Sequence, residues 1–269
     1  MGQEEFRDAA LVLLGHGSTR NAGAGTPAFQ HAAELRRRRC FAEVREAFWK
    51  QEPDLARALS GLTAPRVFLV PLFVSEGYFS EEIIPQALGV RIPGQATWTR
   101  VQRRGPQTLF YCKPVGTHEH MTGVLLARAR EAVAQYPFRR APEPSEITLF
   151  IAGHGTGENE GSRQAIERQA ELIRGQGIYA DVHAVFLEEA PRIGACYALA
   201  QTRHLVVVPF FISDGCTCGR ISQYCWANRN AQCGSGCNPD GPPGAIPLKN
   251  TASWFGMPRA WEPSRCWRM

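Results

Sequence analysis

The sequence predicts an α/β fold made of two tandem copies of one unit, each a small parallel sheet with helices on both faces. Three observations carry this. The apolar run Leu11-Val12-Leu13-Leu14 ends in Gly15-His16-Gly17 and Ser18, and Leu149-Phe150-Ile151-Ala152 ends in Gly153-His154-Gly155 and Thr156. A continuous apolar run stopped by glycine is the pattern of a strand buried on both faces, as in parallel sheets. The two copies lie 138 positions apart, and the same offset relates Val67–Gly77 to Leu205–Gly215, Phe48 to Phe186 and Pro53 to Pro191. Self-similarity at one fixed offset marks a repeated structural unit. Finally, strand-like runs alternate with helix-like stretches, which is the order of β-α-β crossovers.

In chain order, Leu11–Leu14 is the first strand and Pro27–Arg38 a helix. Arg36–Arg39 reads as the solvated end of that helix, where cations meet the negative end of its dipole. Phe41–Phe48 is a second strand by its alternation, and Pro53–Leu59 a helix with proline in its first turn. Val67–Val74 is a third strand. Ser80–Leu88 reads as a helix capped by serine, with Glu81 and Glu82 in the first turn. Thr108–Pro114 is a fourth strand and His118–Ala134 a closing helix, so the first unit spans 8–135. Residues 136–146, proline-rich with paired arginines, form a linker. The second unit, 147–215, repeats the plan through Ile147–Ile151, Ser162–Arg174, Tyr179–Phe186, Pro191–Ala200 and Leu205–Ile212. The fixed-offset similarity stops after Gly215, and residues 216–269 show neither an amphipathic helix nor a fourth strand, so an irregular tail is expected there.

Composition narrows the function classes. The formal net charge is +5 over 269 residues, but residues 216–269 hold six Lys or Arg against two acids. The repeats are therefore almost neutral, and nucleic acid is not an expected partner. The N-terminal residues are acidic and the apolar run that follows is too short for a signal peptide or a membrane span, which predicts a cytoplasmic protein without a membrane partner. Cys40, Cys112 and Cys196 are isolated and read as buried fillers. His183 and His204 read as structural, and His118-Glu119-His120 as a surface helix start whose neighbouring side chains do not share a face.

The strand-tip histidines carry the chemistry. Open α/β sheets bind ligands at the C-terminal ends of their strands. No Gly-x-Ser-x-Gly elbow and no Gly-x-x-x-x-Gly-Lys phosphate loop is present, and no arginine precedes His16. Imidazole is a common metal ligand and accepts protons near neutral pH, so metal binding joined to proton acceptance is the economical reading.

Gly15-His16-Gly17-Ser18, then Val70–Gly77, then Glu81-Glu82-Ile83-Ile84-Pro85 resemble the class II chelatases of the CbiX/SirB type. The resemblance covers Leu11–Gly215 and both repeats. It implies insertion of a divalent metal, cobalt or iron, into the tetrapyrrole sirohydrochlorin in cobalamin or siroheme biosynthesis, with no nucleotide. It further implies His16 and His154 as metal ligands and catalytic groups, Glu82 as an auxiliary carboxylate, and an internal pseudo-twofold that lets a monomer supply what shorter relatives make by pairing. The other reading is a remnant that binds metal or tetrapyrrole without turnover. That reading is motivated by Phe79, which occupies the position of the family's second histidine in the first copy, while the corresponding segment is missing from the second.

The missing segment is legible in another frame. Read one base earlier, with synonymous codons chosen freely, residues from Cys216 on spell Leu-His-Val-Arg-Glu-Asp-Ile-Pro-Val-Leu-Leu-Gly, the family motif. Its proline falls at Gln223, 138 positions after Pro85, and the single codon of Trp226 with that of Ala227 forces glycine where Gly89 stands in the first copy. Residues 216–269 are therefore expected to be an out-of-frame translation. The rival reading, a metal site at Cys216, Cys218, Cys225, Cys233 and Cys237, fits no paired Cys-x-x-Cys spacing. Resequencing the gene across the codon of Gly215 checks this: an extra base is expected, and an unchanged frame makes the cysteine-rich tail a genuine part of the chain.

Overall fold

A computed structural model describes residues 5–95, 97–135, 138–155, 160–212 and 245–247. The first sheet contains β1 (Ala9–Gly15), β2 (Glu43–Phe48), β3 (Arg66–Pro71), β4 (Val101–Arg104) and β5 (Gln107–Tyr111), in the order β2-β1-β3-β5-β4. β1 is buried along its whole length, as its unbroken apolar run requires. It pairs in parallel with β2, Ala10 opposite Glu43 through Gly15 opposite Phe48, and with β3 on its other side. Ala10, Val12 and Leu14 enter a core with Leu55, Ala58, Leu69, Ile84, Leu109 and Tyr111. β4 was not expected. It closes the edge antiparallel to β5, and its exposed, mostly polar Val-Gln-Arg-Arg offers no apolar run to read.

The helices up to Ala87 follow the sequence with two local changes, while in the second unit the helix expected over Pro191–Ala200 is a 3-10 turn, Ile193–Ala195, followed by only Cys196–Leu199. α1 (Thr26–Arg38) ends at Arg39 in the left-handed conformation. Arg36 forks onto the buried Glu46 at 2.8 and 2.5 Å, while Arg37 and Arg38 hold Glu34, so the arginine run fastens its own unit. α2 (Leu55–Leu59) starts two residues later than expected because Asp54, not Pro53, caps it: the Asp54 carboxylate accepts from Arg57 N–H at 2.7 Å. The expected helix from Ser80 is a wide π-turn over Phe79–Ile83 running into α3 (Ile84–Ala87). Pro85 explains this, since it has no N–H to give the Glu81 carbonyl; that carbonyl accepts from Arg91 instead. Ser80 does not cap the helix, because its hydroxyl accepts from Gly77 N–H at 2.9 Å.

The second unit has α4 (Met121–Gln135), β6 (Ile147–Gly153), α5 (Glu160–Arg174), β7 (Asp181–Phe186), α6 (Cys196–Leu199), β8 (His204–Pro209) and β9 (Ala245–Pro247). Its sheet is ordered β7-β6-β8-β9, all parallel, which is the order of the first sheet without the hairpin edge. Both units carry a cis X-Pro peptide at matching positions, Glu52-Pro53 and Ala190-Pro191.

Two expectations are corrected. α4, assigned by sequence to the first unit, packs on β8 and α5, and the chain divides at His118/Glu119 rather than after residue 135. Thr122 of α4 donates to the Gln169 side-chain carbonyl at 2.7 Å in a buried contact, and Leu125, Ala129 and Ala132 are buried. An apolar helix face announces itself in sequence; which sheet it covers does not. The tail also contributes a strand, since β9 pairs with β8, Leu205 opposite Ala245. It occupies the edge that β5 fills in the first unit, where β8 would leave a row of unpaired backbone groups. Three residues are too few to show a period, which is why no strand was expected. The five cysteines from Cys216 to Cys237 lie outside the described residues. Among the described residues no helix is long and apolar enough to cross a membrane.

Glycine substitutions test this packing. A Cβ at Gly116 would sit 2.2 Å from the backbone oxygen of Val74, whereas one on Gly123 in α4 meets nothing within 4 Å. Gly116→Ala is expected to destabilise by about 1–3 kcal/mol and Gly123→Ala to stabilise by about 0.5–1 kcal/mol. Thermal unfolding of the two variants should move in opposite directions.

Candidate functional site

Each site is built at the tip of the central strand. In both units the strands on either side of that strand are reached by crossovers running in opposite directions, so its C-terminal end is a topological switch point. Backbone hydrogen bonds fix the tips. Trp49 N–H donates to the Gly15 carbonyl at 3.2 Å and Lys50 N–H to the His16 carbonyl at 2.9 Å. In the second unit Leu187 N–H lies 3.1 Å from the Gly153 carbonyl, and Glu188 N–H donates to the His154 carbonyl at 3.1 Å. The glycine after each histidine has positive φ, +68° at Gly17 and +65° at Gly155, and a Cβ there would meet Gln51 or Glu189 within 2.7 Å. This is the physical content of the Gly-His-Gly motif: the chain turns left-handed, close against the segment after the neighbouring strand.

The same scaffold carries different side chains in the two units. In the first, the half-buried His16 ring meets Phe79 edge-on, centroids 4.7 Å apart. Burial, with a smaller contribution from the Lys50 ammonium, pushes the His16 pKa down. Trp49 and Tyr78 also pack edgewise on Phe79 at 6.4 and 6.0 Å, and Lys50 Nζ lies 6.0 Å from its ring centre. Glu82 is half-buried on the π-turn that begins at Phe79, and it enters no ion pair among the described residues. Its neighbour Glu81 is held by Arg100 at 2.7 Å, and Glu76 lies between Arg100 and Lys113.

In the second unit His154 is exposed, and its Nδ1 lies 3.0 Å from the Gly155 carbonyl and 3.7 Å from Glu188 Oε2. Both neighbours only accept, so in the neutral ring Nδ1 carries the proton and Nε2 presents the lone pair. The next residue, Glu189, is committed elsewhere, bonded by Arg163 at 3.0 Å. Glu188 escaped the sequence reading. Its signal was the repeat itself, because at the common offset it stands opposite Lys50.

The remaining expectations resolve simply. His16 and Glu82 belong to one unit and His154 to the other. His183 Nε2 lies 2.9 Å from Asp181 Oδ2 and its ring stacks on Phe150, and His204 meets Phe138 edge-on. His118–His120 precede α4 rather than starting it. Cys40 and Cys196 are buried and Cys112 half-buried, with Cys112 pushed up to about 12 by burial. Among the described residues no three His, Cys, Asp or Glu side chains come together as a metal cage. The second-unit segment equivalent to Phe79 and Glu82 lies outside the described residues.

Comparison with known proteins gives the family. The chain is 39% identical over 216 residues to a probable sirohydrochlorin cobaltochelatase of Halobacterium salinarum, covering 77% of this chain and 72% of that protein. A multi-domain Deinococcus radiodurans protein described as structurally similar to chelatases superposes with a TM-score of 0.73 at 27% identity over 89% of this chain. The chain spans about half of that protein, 51% of its length. SirB of Bacillus subtilis, solved with Fe3+, superposes with a TM-score of 0.64 at 18% identity, covering 82% of this chain and 84% of SirB, a likeness of fold. The family model CbiX matches residues 10–132 and 148–232, spanning both repeats, skipping the linker and running past Gly215. With two Gly-His-Gly strand tips on central strands that pair in parallel on both sides, the chain belongs to the CbiX family of chelatases.

Proposed function

We propose that the protein inserts a divalent metal, cobalt or iron, into sirohydrochlorin without a nucleotide, with His154 as the principal catalytic group. The observation that carries this is the arrangement of the second strand tip, where the free Nε2 lone pair of His154 stands at a switch point beside the Glu188 carboxylate. The reaction exchanges two pyrrole N–H protons for one ion, so it needs a ligand that releases the ion and a base that takes protons. Nε2 serves both in turn, holding the ion until the pyrrole nitrogens take it and then accepting a proton. Glu188, on the Nδ1 side, orients the ring and stabilises the imidazolium that forms. His16 and Glu82 act from the first strand tip as the auxiliary base and carboxylate. Imidazole accepts cobalt and iron alike, so either ion fits this chemistry.

His154→Ala is expected to lower kcat for metal insertion by roughly 100-fold or more, with a smaller loss in His16→Ala. Glu188→Gln is expected to lower kcat as well, by a smaller factor than His154→Ala in the same assay. Absence of insertion by the intact chain with both metals would instead favour the non-turnover remnant, the reading motivated by Phe79 at the second-histidine position. The electrostatics of His16 give a further expectation. Lys50 lowers its pKa by repulsion, so Lys50→Glu turns repulsion into attraction and raises it. An imidazole proton titration by NMR should show the His16 transition at higher pH in the variant.

A further inference from the structure

The two strand tips share one backbone and differ in charge sign, and this difference points to a division of labour. Lys50 and Glu188 occupy the same slot: each is the residue whose N–H donates to the carbonyl of its strand-tip histidine. Where the second unit presents a carboxylate, the first presents an ammonium on an exposed side chain. The neighbouring positions change in the same direction. Trp49 stands where the second unit has Leu187, and Phe79, the hub of the cluster, contacts His16, Trp49 and Tyr78. Trp49 and Tyr78 keep 36% and 59% of their surface exposed, a large share for rings of this size. The acids nearest in sequence to Phe79 that form ion pairs, Glu76 and Glu81, are neutralised by Arg100 and Lys113. What remains at the tip is a set of open aromatic rings beside an ammonium with no carboxylate bonded to it in the described structure, together with His16 and the Glu82 carboxylate three residues after Phe79.

A cation is poorly held at such a site: the Lys50 ammonium repels it, and Phe79 offers no lone pair to join His16. A flat conjugated ring with carboxylates at its edge is a good one, because its face stacks on aromatic side chains and its carboxylate meets the ammonium. We propose that the strand tip of the first unit is a subsite for a planar polycarboxylate tetrapyrrole, held by Lys50, Trp49, Tyr78 and Phe79, and that it does not hold the metal. The inference deepens the chelatase reading and rests on it for the identity of the natural ligand. It assigns substrate capture to the first strand tip and leaves metal handling to His154. Lys50, Trp49, Tyr78 and Phe79 are then binding residues, and His16, edge-on to Phe79, keeps its auxiliary role as a base.

The test uses the full-length chain and metal-free uroporphyrin, a planar octacarboxylate tetrapyrrole, with binding followed by its visible absorption band. The chain should bind uroporphyrin, more weakly as salt rises, and His154→Ala should bind equally well. Lys50→Glu should weaken binding by about fivefold or more and Lys50→Arg should restore it. Trp49→Ala should cost about fivefold or more, the usual yield of one stacked ring. Calorimetric titration with Co2+ should show binding that His154→Ala removes and His16→Ala leaves intact. No uroporphyrin binding by the unaltered chain, unchanged binding in Lys50→Glu, or loss of Co2+ binding in His16→Ala would each overturn the proposal. The uroporphyrin measurements need no turnover, so a failed insertion assay with this binding intact would strike the chelatase reading alone.

Discussion

The hydrogen bond from the segment after the second strand to the carbonyl of the strand-tip histidine is the constraint on which both sites depend. It appears as Lys50 N–H to His16 and as Glu188 N–H to His154. Without it the chain leaving the central strand would be a free loop. With it, the left-handed glycine that follows is pressed against Gln51 or Glu189 at distances that admit no Cβ. The histidine is thereby fixed at the switch point, and the side chain of the bonding residue is fixed beside it. Whatever residue fills that slot sets the charge that the imidazole meets.

That coupling explains how one scaffold can hold two kinds of site. At low local dielectric a single change of sign next to an imidazole alters both its proton affinity and the charge of the ligand it tolerates. The first unit combines an ammonium with the edge of Phe79, and the second combines a carboxylate with an exposed ring. Duplication of a unit frees each copy from having to carry every function. The two strand tips of this chain carry opposite charges in that slot, Lys50 in one and Glu188 in the other.

The parts of the fold that surround these tips serve to hold them still. The π-turn at Phe79–Ile83 exists because Pro85 cannot donate, and the Tyr111 hydroxyl donates to the Ser80 carbonyl at 2.7 Å, tying the turn to β5. Burial raises the Tyr111 pKa, so the phenol stays protonated and the donor is retained throughout the physiological range. The bidentate Arg36–Glu46 pair fastens α1 to the strand whose end supplies Lys50.

The sequence by itself determined the strands, their duplication and the two histidines, because these rest on local patterns: apolar runs, glycine stops and a constant offset of 138. It also gave the chelatase resemblance, since the motif residues are contiguous. Only the tertiary structure decided which sheet α4 covers, where β4 and β9 pair, and that Glu188 stands beside His154. The reason is the same in each case. Helix faces, edge strands and side-chain partners brought from a neighbouring strand are fixed by contacts between distant segments. A polar four-residue edge or a three-residue strand has too little periodicity of its own to announce them.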